Sequence, residues 1–170
     1  MRRLCVATGF ARVRPVATHN RRITDYCSYR GLMIISGINT DAPKDNPHLI
    51  HSDDGKTALW AGALDDMWEL GKPVGIGGPW KDTPVKANEP SDPYLMTGYD
   101  EKSLRLSSED NTTITIEIDI TGNGDWQIYQ KLLMASPVGI IWKFPDDFQA
   151  YWIRFRSRVA TTVTAQLTYE

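Results

Sequence analysis

From Thr112 to Ile120 the sequence alternates without a break: Ile114, Ile116, Ile118 and Ile120 are separated by Thr113, Thr115, Glu117 and Asp119. Successive side chains of a strand point to opposite faces, so the stretch makes one apolar and one polar face, and a helix of period 3.6 would scatter both sets. The same period then recurs. "TGNGDW" supplies a turn whose glycines and asparagine tolerate positive φ, and the run after it is read with Trp126, Ile128 and Leu132 inward. Val138, Ile140, Trp142 and Phe144 form the next inward set. Beyond "PDDF", Tyr151, Ile153 and Phe155 point inward while Trp152, Arg154 and Arg156 point outward, and Val163, Ala165 and Leu167 complete the series. Strands this close together, divided by turn signals and lacking any helical period, predict an all-β chain built on an antiparallel, jelly-roll-like β-sandwich over residues 111–170.

The remainder is less regular, and 31–110 reads as an irregular β and loop region behind a basic arm, 1–30. "GLMIISGI" reads as a buried strand. "HLIHSDDGKTALWAG" reads as a hairpin turning at Asp53, Asp54 and Gly55, since an Asp-Gly pair favours a primed turn. "LDDMWELGKP" reads as one short helix, with Asp65 and Asp66 near its start and Gly71 and Pro73 at its stop. Gly71 to Tyr99 shows no periodicity and is expected to be a long loop. It opens with "GKPVGIGGPWKDTPV", four glycines and three prolines around Trp80.

The net charge of −2 divides unevenly. Up to Arg30 there are seven arginines and one acid, giving +6, so the rest carries −8. The arginines lack aromatic interleaving and helical spacing and can pair with the acidic remainder, so no nucleic-acid partner is expected. The longest apolar run is far below the roughly 20 residues a membrane-spanning helix needs. Met1 to Ala11 has a positive start but no apolar core of signal-peptide length, and the chain reads as part of a longer protein. Cys5 and Cys27 have no metal-ligand spacing, and whether they pair is left open.

Several groups are candidates for chemistry. The glycines of the opening Gly71 stretch follow a helix end, and Pro79 removes a donor, so a phosphate cradle is not expected. They are read either as shaping a path that presents Trp80, Lys81 and Asp82 at a surface, or as a loop pinned by a buried Trp80, the second reading being preferred. Tyr94 and Tyr99, and the outward Trp152 and Arg154, complete a candidate ligand-binding set. The outward residues face a neighbouring strand that offers Glu117, Asp119, Tyr129 or Lys131, either a ring-and-charge platform of the kind that stacks sugars or, the preferred reading, a Trp152 covered by the long loop or the N-terminal half with the charges paired across strands. His48 and His51 lie near Asp53 and Asp54, but a strand puts i and i+3 on opposite faces, so no metal and no cofactor are expected. Were the chain an enzyme, the carboxylates of a glycoside hydrolase would be sought in Asp66, Asp92 and Asp100.

The segments "RRITDYCSYRGLMIISG", "SDDGKTALWAGALDDMWELGKPVGIGGPWKDTPV", "EPSDPYLMTGYD" and "GDWQIYQKL... FPDDFQAYWIRFRS... TVTAQLTYE" resemble the C-terminal region of large, mostly uncharacterised secreted bacterial proteins. In that group propeller-like β repeats precede a β-sandwich tail. "SDDGKTALW" also resembles the Asp-box hairpin of propellers, one residue short of S-x-D-x-G-x-T-W, which suits a last blade passing into the tail. The resemblance implies secretion or a cell-envelope setting and lends no catalytic residues. The expected function is a non-catalytic carbohydrate-binding or accessory module, the alternatives being a glycoside hydrolase and a structural or assembly domain. The partners expected are a glycan and either a second copy of the chain or an upstream domain.

Overall fold

A computed structural model describes residues 13–19, 22–41 and 45–170. Much of the basic arm, and Cys5 as a partner for Cys27, lie outside the described residues. Cys27 itself is an exposed free thiol. The chain divides into two compact units, Val16–Lys72 and a second unit holding Pro73–Glu170 with residues 13–15.

The Val16–Lys72 unit is one antiparallel sheet of β1 (Tyr26–Tyr29), β2 (Leu32–Ile35), β3 (Leu49–His51) and β4 (Ala58–Gly62), in the order β1-β2-β4-β3. The expected hairpin is β3 and β4, with Leu49 opposite Trp60 and His51 opposite Ala58. Its turn is held by Ser52 Oγ donating to Asp54 Oδ1 at 2.7 Å and the Lys56 amide donating to the same oxygen at 3.1 Å. The expected short helix is a 3₁₀ helix, Leu64–Leu70, where the Asp66 carboxylate accepts the Ala63 N–H at 2.6 Å. The expectation that "GLMIISGI" is buried is corrected: within β2 only Ile35 is buried. An apolar run predicts a strand but not what covers it, and among the described apolar residues of this unit only Ile35, Ala58 and Trp60 are buried.

The second unit is an eight-stranded sandwich of β5 (Gly75–Val85), β6 (Tyr94–Leu95), β7 (Lys102–Ser108), β8 (Thr112–Asp119), β9 (Trp126–Met134), β10 (Ile140–Lys143), β11 (Trp152–Ser157) and β12 (Thr161–Tyr169). One sheet runs β10-β7-β12-β5 and the other β6-β11-β8-β9, all antiparallel. First and last strands pair, second and seventh pair, third and eighth pair, fourth and seventh pair: this is the jelly-roll winding of two Greek keys. The core forms where the sheets face each other, Leu104, Leu106, Val163 and Leu167 meeting Ile114, Ile116, Ile153 and Phe155, none more than 1% exposed.

Two readings of the sequence are corrected here. Gly71 to Tyr99 is not a long loop, because β5 and β6 lie within it. Two register shifts against β12 break the period of β5. Its glycines mark close approaches: a Cβ on Gly78 would stand 2.0 Å from the Ala165 carbonyl oxygen, and one on Gly77 2.1 Å from the Tyr94 hydroxyl. Its prolines are tolerated because β5 is an edge strand, where a missing N–H costs no ladder bond. The second correction concerns β9. A bulge between Ile116 and Glu117 of β8 sets Ile116 opposite Gln130 but Glu117 opposite Ile128, leaving Tyr129 as the extra residue. Leu132 and Met134 stay on the core side, Tyr129 packs inward on Phe144 and Phe148, and Trp126 and Ile128 move to the outer face.

Candidate functional site

The register of β9, β8 and β11 builds the outer face row by row, since residues directly opposite one another project from the same side. Trp152 lies opposite Asp119, which lies opposite Trp126; Arg154 lies opposite Glu117, which lies opposite Ile128; Arg156 lies opposite Thr115, which lies opposite Lys131. At the centre Glu117 is only 8% exposed. Its Oε2 accepts from Arg154 Nε and its Oε1 from Arg156 Nε, the latter at 2.9 Å. Each oxygen of this buried carboxyl thus has its own guanidinium donor, and loss of either arginine would leave one oxygen without its charged partner.

The arginines are themselves positioned. The Arg154 guanidinium lies over the Trp126 ring, 4.1 Å from its centroid, a cation–π contact that holds the planar group against the face. Arg156 Nη1 donates to the Asn88 carbonyl at 2.9 Å, and Pro90 bridges to Arg156, so the segment before β6 closes one side. The turn after β8 closes another. Asp119, 1% exposed, accepts from the Gly122 amide at 2.8 Å, the Gly124 amide at 2.7 Å and the Thr121 amide at 3.2 Å. Gly122 and Gly124 take φ of 75° and 95°, the left-handed conformation expected from "TGNGDW". Trp152 adds a second indole to the face, its Nε1 buried and without a hydrogen-bond partner among the described residues.

The sequence-predicted residues are distributed as follows. Trp152 and Arg154 share this face with Glu117, Asp119 and Lys131, but Tyr129 does not. Trp80 is corrected as a ligand platform: it is 6% exposed, belongs to the core and lies 6.0 Å from the Phe155 ring, so no ring face remains for a ligand. Tyr94 is corrected likewise, since it sits opposite the fully buried Ile153 and packs on the core. Tyr99 stacks on Tyr169 at 4.0 Å with an interplanar angle of 9° and also packs on the core. Lys81 and Asp82 are exposed, but they belong to the other sheet. There Asp82, at φ 46°, exchanges hydrogen bonds with Thr164 Oγ1.

The acid candidates do not assemble. Asp66 is in the Val16–Lys72 unit, 3.8 Å from His48 Nδ1, whereas Asp92 and Asp100 are exposed on loops either side of β6. No group of three or more histidine, cysteine, aspartate and glutamate side chains is placed to hold a metal among the described residues. A shallow depression lined by Glu101, Lys102, Ser103, Lys143, Thr168 and Glu170 has its cations engaged. Lys143 pairs with Glu101 and Asp146, and the buried Lys102 donates to the carbonyls of Tyr99, Asp100 and Phe148.

Sequence reasoning missed Trp126 as a surface residue, because the bulge that turns it outward leaves no mark on the composition of β9. No protein-family model matches the chain, and no curated protein matches it.

Proposed function

We propose that the chain is a non-catalytic carbohydrate-binding or accessory module of a bacterial glycan-processing or envelope protein, secreted as part of a longer chain. Its ligand face is the outer side of the β6-β11-β8-β9 sheet. The observation that carries this reading is the array Trp126, Arg154, Glu117 and Arg156, with Trp152 beside it. A sugar ring has an apolar C–H face and a rim of hydroxyls. Indoles supply flat apolar area at low entropic cost, and guanidinium forks supply donors in fixed directions, so the two together match both parts of the ring. Rigidity favours the same reading: the array sits on adjacent strands over a packed core rather than on loops. Jelly rolls include lectin domains, an analogy of fold in the same direction.

A glycan array probed with the purified chain tests the proposal, followed by the same array with Trp126→Ala. Binding should fall by about 5- to 150-fold, a stacking contribution of roughly 1–3 kcal/mol by analogy with bases on aromatic rings, with melting little changed. A wild-type chain that binds no glycan, or a Trp126→Ala protein that binds as tightly as wild type, contradicts it.

A further inference from the structure

The hydrogen-bond accounting of the outer face points to the class of glycan, an inference that rests on the function proposed above. Both carboxylates of the central rows lie beneath the surface and are saturated: Glu117 by the two arginines, Asp119 by three backbone amides. The cations are not. Each arginine engages Glu117 through Nε, and only Arg156 has a further bond, from Nη1 to Asn88. Both Nη groups of Arg154 and Nη2 of Arg156 have no hydrogen-bond partner among the described residues, and Lys131, in the row of Arg156, is exposed. Neighbouring rim acids are engaged elsewhere, Glu89 with Lys86 at 3.3 Å and Asp125 with Asn123 Nδ2 at 2.8 Å. The face therefore offers free cationic N–H donors, while its central carboxylates already have their donors.

We infer that the ligand of this face is an acidic glycan, whose carboxylate or sulfate groups are received by Arg154, Arg156 and Lys131. A carboxylate or a sulfate presents two oxygens that take paired N–H donors from one guanidinium edge, which hydroxyls match less well. A neutral sugar would leave the charged character of these donors unmatched, so the free donors give acidic ligands the advantage.

Titration calorimetry on the intact chain separates the arms. The probes are polygalacturonate against its carboxyl-reduced neutral form, and sulfated dextran against plain dextran, each at about 50 mM and about 500 mM salt, where screening lengths differ several-fold. At least one acidic probe is expected to bind about tenfold or more tighter than its neutral counterpart. That margin should shrink at high salt, and the acidic arm that responds identifies carboxylate or sulfate as the recognised group. Lys131→Glu, an exposed position, should erase most of the margin without moving the melting temperature. Equal binding of acidic and neutral forms overturns this inference while leaving carbohydrate binding intact. Binding of no probe and of nothing on the glycan array overturns both. A Lys131→Glu protein that keeps its full margin overturns the assignment of this face.

Discussion

Replacing Trp80 by alanine should destabilise the sandwich severely. The ring is 6% exposed, lies among the residues joining the two sheets, and sits on an edge strand whose glycines fit tightly against Ala165 and Tyr94. A tryptophan buries about 150–250 Å², which at roughly 25 cal/mol per Å² corresponds to about 4–6 kcal/mol. Core truncations of Trp cost about 3–5 kcal/mol, so about 4 kcal/mol is expected. For a unit of this size each kcal/mol moves Tm by about 4–8 °C, which gives a fall of at least about 15 °C by scanning calorimetry. Trp80→Phe, which keeps most of the apolar contact with Phe155, should fall less. A Trp80→Ala protein melting within about 4 °C of wild type would refute the reasoning, because a ring that can be removed so cheaply is not part of the core.

Asp119→Ala should cost about 3 kcal/mol, since three backbone donors lose a charged acceptor, and hydrogen exchange at Gly122 and Gly124 should accelerate; unchanged protection there counts against the cap. Alkaline pH should unfold the sandwich. Burial raises the Tyr169 hydroxyl well above its usual range, and that of Tyr99 also upward, so above about pH 10 the unfolded chain binds fewer protons and stability falls, by about 1.4 kcal/mol per pH unit for Tyr169 alone. Lys102, lowered by burial, works in the opposite sense, but its gain ends once the unfolded lysine titrates near pH 10.5; a flat melting profile from pH 10.5 to 11.5 contradicts this. On β1, an edge strand, Tyr26 and Tyr29 are 68% and 57% exposed, and such an edge recruits partners, so light scattering should find a homo-oligomer that Tyr26→Lys with Tyr29→Lys dissociates; a monomeric wild type at high concentration contradicts this.

The sequence made the sandwich legible where strands are regular and half-buried. Ile114, Ile116 and Ile118 alternate with polar residues because one face meets the core, and that signal survives in the primary structure. β5 was illegible for the opposite reason. Its glycines answer to tertiary contacts, the Ala165 carbonyl and the Tyr94 hydroxyl, and its prolines to its place at a sheet edge, neither of which a local pattern records. Half of the candidate face could be read in the same way: Trp152 and Arg154 alternate outward from Ile153 and Phe155, which are buried. The other half depended on Tyr129, the bulge residue whose insertion carries Trp126 from the core side to the outer side, and periodicity alone fixes no register across strands.

The most direct test of the central claim follows the indole N–H signals of isotope-labelled chain by NMR during titration with an acidic oligosaccharide that binds. Trp126 and Trp152 share the outer face, whereas Trp80 is enclosed in the core. The account predicts saturable shifts of the Trp126 and Trp152 signals, together with the side-chain signals of Arg154 and Arg156, while Trp80 stays in place. Saturable binding that leaves Trp126 and Trp152 unmoved would contradict it and put the ligand on another surface.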